Sequence, residues 1–238
     1  MVTFAGLPGA VGVSHLGVYD WEAADGLHGG TPHLHLTCSE GYVVQAGRGA
    51  VHTLTADGFT VTPLAPGSLV WFTPGTIHRL VNEDGGLRIT VLMQNNGLPE
   101  AGDAVLTLPP PYLTDPARYA QAVALPADDP ARAARRRRDL ALEGFEVLRR
   151  ASEAGDNGPL LAFHEAAAAL VRPRVADWRQ RWERGAAEAA RVTGEQLGRL
   201  AEGDAGHLAD ASVHTAVPAE AGRYGMCGRL DTYRLPGA

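Results

Sequence analysis

Three side chains near the start of this sequence have the types and spacing of a metal site. In the stretch GGTPHLHLTCSEGYVVQAG, residues 29–47, His33 and His35 lie two apart and Glu40 follows five residues later. On a β-strand, residues i and i+2 project from the same face, so both imidazoles stand side by side. Neutral imidazole and carboxylate are the ligand set of borderline divalent ions such as iron, zinc, manganese or nickel. A fourth donor comes from PGSLVWFTPGTIHRLVN, where His78 follows a TPG turn at the start of a β-like run.

These donors need strands to hold them, and the flanking sequence supplies strand signals. From Val11 to Gln94, short runs such as YVVQA, AVHTLT, FTVTPL, SLVWF and LRITVLM are rich in β-branched and aromatic residues. Between them lie GRG, ADG, APG, TPG and NEDGG, the Gly, Pro and Asp/Asn clusters of tight turns. Closely spaced short strands imply an antiparallel sandwich or barrel.

The two histidine-bearing stretches together resemble the paired motifs of the cupin superfamily. The first motif, His-x-His, three or four residues, Glu, six residues, Gly, is met by His33, His35, Glu40 and Gly47. The second, Gly, five residues, Pro-x-Gly, two residues, His, three residues, Asn, is met by Gly67, Thr73-Pro74-Gly75, His78 and Asn82, with threonine in the first proline's place. The opening glycine of the first motif has no clean match, since Leu27 holds its place. The resemblance covers about residues 11–94 and implies a jelly-roll (double-stranded β-helix) barrel. It further implies one divalent transition metal held by His33, His35, Glu40 and His78, with Fe²⁺ favoured over Zn²⁺, Mn²⁺ or Ni²⁺.

Around that site the sequence offers weaker candidates. Strand alternation from Glu40 puts Tyr42 and Val44 on the inward face, where Tyr42 can line a substrate pocket or serve as filler. His52 and His15 are further pocket candidates, as are Trp71 and Phe72. His28, in the Gly-rich approach to the motif, reads as loop, with a lid as the alternative. Cys38 reads as a small buried side chain, and with Cys227 as the only other cysteine no disulfide framework is expected.

Past the proline-rich GLPEAGDAVLTLPPPYL the pattern changes, which places a boundary at residues 113/114: a barrel over 1–113 and a mostly helical extension over 114–238. Asp115-Pro116 and Asp129-Pro130 are N-cap and first-position pairs that open helices, and three or four helices are expected over about 115–203. Leu140, Phe145 and Leu148 fall roughly at helical spacing, as do Trp178 and Trp182. The last stretch, from His207, reads as irregular.

Composition narrows the partners. Hydrophobic residues make up 45% of the 238, enough to bury a core, and no run approaches a membrane span. The start, MVTFAGLPGAVGV, lacks the pattern of a signal peptide, so a soluble cytoplasmic protein is expected. All 21 basic residues are arginine, and residues 1–113 hold three of them against nine acids, so the whole formal charge of −6 lies there. An acidic barrel disfavours nucleic acid and strongly anionic substrates. The run Arg135–Arg138 reads as a solvated or ion-paired helix surface. The expected partner is a small organic molecule, with homodimer formation possible. Three functions compete: a non-haem iron dioxygenase, slightly ahead; a Zn²⁺, Mn²⁺ or Ni²⁺ isomerase, epimerase or lyase; and a non-catalytic binding module.

Overall fold

In the computed structural model, described for residues 4–235, the chain passes back and forth between two antiparallel sheets. Strands β1 (Gly12–Val18), β3 (Glu40–Ala46), β6 (Leu69–Phe72) and β8 (Arg88–Met93) belong to one sheet. Strands β2 (His33–His35), β4 (Gly49–Thr55), β5 (Gly58–Leu64), β7 (Ile77–Asn82) and β9 (Ala104–Leu106) form the other, in the order β5-β4-β7-β2-β9. Leu16, Tyr42, Val44 and Ile89 from the first sheet bury themselves against Val51, Leu64 and Leu80 from the second. This two-sheet jelly roll is the fold that the motif resemblance implies.

Motif glycines occupy backbone conformations that other residues rarely adopt, and at Gly47 a side chain has no room either. Gly47 turns with φ +75°, and a Cβ there would lie 2.3 Å from the carbonyl carbon of Gly86. Gly75, at φ +88°, donates its N–H to the carbonyl of His35 at 2.8 Å and so ties the second motif to the first. Asn82 donates to the carbonyl of Val18 and accepts from Leu87 N–H, which closes the turn after β7 onto β1.

The helical region follows as α1 (Pro110–Leu113), α2 (Pro116–Val123), α3 (Pro130–Glu153), α4 (Gly158–Val171), α5 (Val175–Trp182) and α6 (Glu188–Ala201). Asp115 caps α2 by accepting from the backbone of Ala117 and Arg118, and Asp129 caps α3 by accepting from Arg132. Leu142, Phe145 and Leu148 of α3, Phe163 of α4 and Trp178 of α5 share one buried cluster with Leu34, Leu54, Ile77 and Leu106 of the five-stranded sheet. The helices thus cover the outer face of that sheet, and one core runs through the expected boundary at residue 113.

Two sequence expectations for this half need correction. The tail forms a hairpin, β10 (Pro218–Tyr224) and β11 (Gly228–Tyr233), and β11 pairs with β1 from Ser14↔Thr232 to Val18↔Gly228. The first sheet therefore has six strands, ordered β10-β11-β1-β8-β3-β6. Its short, polar-rich strands lack clean apolar alternation, and pairing to β1 is what fixes them. The run Arg135–Arg138 is only half solvated. Arg138 is 2% exposed and donates to the carbonyls of Trp21 at 2.7 Å and Glu22 at 2.8 Å. Arg137 is also buried and donates to the carbonyl of Gly225 in the hairpin turn. Arg135 lies over the Trp21 ring, 4.4 Å from its centroid. No described helix is long and apolar enough to cross a membrane.

Candidate metal centre

The short strand β2 carries both His33 and His35 on one face, and its pairing with β7 sets His33 directly opposite His78. Glu40 opens β3 in the other sheet, so the cluster joins the two layers from within. One donor atom from each of the four residues lies within 4.8 Å of all the others. The four residues are at most 7% exposed.

Hydrogen bonds at the rear of each ring fix which nitrogen faces inward. Nδ1 of His33 lies 2.9 Å from the carbonyl of Thr31, and Nδ1 of His78 lies 3.1 Å from that of Thr76. Nδ1 of His35 lies 3.1 Å from Oδ2 of Asp103. Carbonyl and ionised carboxylate oxygens only accept, so all three Nδ1 atoms carry the proton and the Nε2 lone pairs are left for the interior. Inside, Nε2 of His78 and Oε2 of Glu40 approach to 3.0 Å, yet neither makes a hydrogen bond of acceptable geometry and both are sealed from solvent. Such orphaned buried groups are costly unless something else satisfies them. A divalent cation fits this donor set, so the buried cluster of three histidines and one glutamate can hold a divalent metal.

The electrostatics agree with that fit. Burial holds His33 well below the usual histidine range, and its neighbours His78 and His35 reinforce the effect. Burial also opposes charge on His35, but the Asp103 hydrogen bond and the Glu40 carboxylate, 3.4 Å from Nε2, outweigh it and raise this imidazole to about 9. Burial disfavours the Glu40 carboxylate, yet His78 and His35 keep it well below its ordinary value and therefore ionised. Without metal, the cluster holds a proton on His35 that an incoming cation must displace.

A cavity of about 140 Å³ opens onto His33, His35 and Glu40. Its walls are largely apolar, with Leu16, Val91, Met93, Met226 and Leu230 among them. The hairpin that reads as irregular in the sequence thus builds one wall, and contributes Cys227 and Tyr233 as well. Cys227 packs so tightly on the approach to β2 that a Cβ on Gly30 would lie 2.6 Å from its Cα.

The other candidates scatter. Tyr42 is fully buried beside the cluster, its ring centroid 6.4 Å from that of His78, but its hydroxyl has no partner and it does not line the cavity. Burial, then the Glu40 charge, raises it well above the usual tyrosine range. His52 faces away from the site, packed edge-on to Phe59 at 5.4 Å under α3, because strand parity across the GRG turn turns it outward. His15 is exposed on the outer face of the six-stranded sheet, where Nδ1 meets Thr90 Oγ1 at 3.1 Å; its neighbour Leu16 points inward instead. Trp71 is 70% exposed, whereas Phe72 packs 4.2 Å from the His78 ring. His28 is half-exposed and bonded to Asp20, in a segment whose Gly29 bridges to Val81 of β7. Cys38 is buried in the core shared with the helices, and neither cysteine is in a disulfide.

Asp103 and Cys227 were not legible as site residues. Asp103 sits in the proline-rich connector, 68 residues from the histidine it touches, and no spacing rule joins them.

No protein-family model matches the chain, and no curated protein matches it. Solved structures do. One is the TDP-quinovose 3,4-ketoisomerase WlaRB from Campylobacter jejuni, 12% identical over 34% of this chain and 60% of that one, with a TM-score of 0.29. A second is an uncharacterized conserved protein with a double-stranded β-helix domain from Klebsiella pneumoniae, 18% identical over 37% of this chain and 67% of that one, TM-score 0.28. KdgF from Halomonas is 22% identical over 28% of this chain and 57% of its own, TM-score 0.25. The chain therefore spans about 60% of the length of these proteins.

Proposed function

We propose that this chain is a metal-dependent cupin enzyme acting on a small, uncrowded organic molecule, and that the chemistry is oxygenation. The observation that carries the metal is the convergence of three Nε2 lone pairs and one carboxylate, each fixed from behind. Bound there, Fe²⁺ supplies electrons to dioxygen, whereas Zn²⁺, Mn²⁺ or Ni²⁺ supply Lewis acidity.

The cavity supports oxygenation over proton-transfer chemistry. An isomerase or epimerase removes a proton from carbon and returns it, and needs a positioned acid or base with a pKa near neutrality. Apart from His33, His35 and Glu40, the titratable groups on the cavity wall are Glu100, Cys227 and Tyr233. Glu100 is exposed, and burial pushes the Cys227 thiol far up, so it stays protonated. The walls therefore hold substrate largely by apolar contact, and Tyr233 is the one half-buried wall group beside the cluster able to move a proton.

Size restricts the substrate. A cavity near 150 Å³ holds a molecule about as large as benzene, and this one measures about 140 Å³. A larger substrate fits only with part of it outside the mouth beside Glu100.

The test is oxygen consumption by protein loaded anaerobically with Fe²⁺ or Zn²⁺ and offered small catechols and diketones. Uptake with Fe²⁺ alone supports oxygenation. Turnover without oxygen, equally good with Zn²⁺ or Mn²⁺, replaces it with the isomerase or lyase reading. A bound metal whose water does not exchange, measured by relaxation, favours a binding module.

A further inference from the structure

The three histidines are not equivalent. His33 and His78 donate to neutral backbone carbonyls, whereas His35 donates to a carboxylate. Asp103 has no exposed surface. Its second oxygen accepts from Thr37 N–H at 2.8 Å and from Thr37 Oγ1 at 2.7 Å. Three donors hold the carboxylate in place, so its charge is a fixed part of the site and not a mobile counterion.

We propose that Asp103 is a positioning residue that makes the loaded centre electrically neutral, and that the site thereby selects uncharged small molecules over anions. This rests on the metal reading above. Counting only the four ligands, a divalent ion and one carboxylate leave a net charge of one positive unit, which attracts anionic ligands. Adding Asp103 brings the sum to zero. Charge counts strongly here because the interior screens poorly.

The cavity wall points the same way. It carries no arginine, and the histidines on it belong to the cluster. An entering anion meets apolar side chains and, at the mouth, Glu100. Nearby Arg137 spends its donors on the carbonyls of Val123 and Gly225, and Arg79 is paired with Asp25. Neither arginine lines the cavity.

The experiment uses full-length protein loaded with Co²⁺, whose visible bands report on ligands entering the centre. Azide serves as the anionic probe and imidazole as the neutral one. Asp103→Asn is expected to tighten azide at least about tenfold relative to imidazole, the scale on which one adjacent charge acts, and to shift the cobalt bands. Thr37→Val removes a bond to the same carboxylate but keeps its charge, and azide binding should stay within about twofold of wild type by the same reasoning. Asp103→Ser repeats the charge loss if the asparagine variant fails to fold. Equal changes for azide and imidazole, or tightening by Thr37→Val as large as that by Asp103→Asn, overturn the inference while leaving the metal centre intact. Wild-type protein that takes up no cobalt overturns the metal reading, and this inference with it.

Discussion

His35 and Asp103 meet at 3.1 Å in a region where the histidine is 5% exposed and the aspartate not at all. That contact joins the first motif to a connector that carries no motif, and it shapes how the site takes up metal. In the metal-free protein His35 is protonated up to about pH 9. Metal binding must release that proton, so apparent affinity should rise about tenfold per pH unit below that point and level off above it. Competition titrations with a chromophoric chelator between pH 6 and 9 check this. A flat profile would show that His35 is already neutral.

The same group makes a stability prediction for metal-free protein. Its folded pKa of about 9 lies above the ordinary 6.5, so its contribution is fully present below pH 6.5 and is lost as pH rises to 9. Melting temperature without metal should therefore fall across that window, and His35→Gln should flatten the fall.

Arg138 latches α3 to the segment before β2. Removing its side chain takes away two charge-assisted hydrogen bonds, to the carbonyls of Trp21 and Glu22. Arg138→Ala should cost roughly 2–4 kcal/mol, read as a drop of about 5–15 °C in Tm for a chain of this size. A loss no larger than that of exposed Arg136→Ala would mean the latch is idle.

The sequence carried the site and half the fold, for identifiable reasons. His33, His35, Glu40 and His78 were readable because strand parity and motif spacing act locally, and the Asp-Pro caps of α2 and α3 for the same reason. His52 misled because parity across a turn depends on how many residues the turn consumes, and His15 because alternation along β1 groups residues by face without saying which face turns inward. Asp103 and the hairpin depend on contacts far apart in sequence, such as Ser14↔Thr232, which no periodicity announces.

Truncation after Leu113 should not yield a stable barrel, although composition suggests a boundary there. It removes β11 from beside β1, deletes the cavity wall at Met226 and Leu230, and exposes Leu34, Leu54, Ile77 and Leu106 where α3 and α4 cover them. The truncated chain is expected to be insoluble or to bind a hydrophobic dye. A soluble, cooperatively melting fragment would support the two-domain division.

Removing the unpartnered hydroxyl of Tyr42 should be harmless. Tyr42→Phe deletes a buried polar atom without a hydrogen bond, so stability should hold or rise by about 1 kcal/mol. A loss of stability or of bound metal would give that hydroxyl a role at Glu40.

The most direct measurement is metal content. Full-length protein dialysed anaerobically against Fe²⁺, Mn²⁺, Ni²⁺ or Zn²⁺ and assayed by elemental analysis should retain about one ion per chain of at least one of these metals, as a four-donor site requires. His78→Ala should lose most of that ion while keeping the wild-type circular dichroism. Wild-type protein that stays free of all four metals would contradict the account.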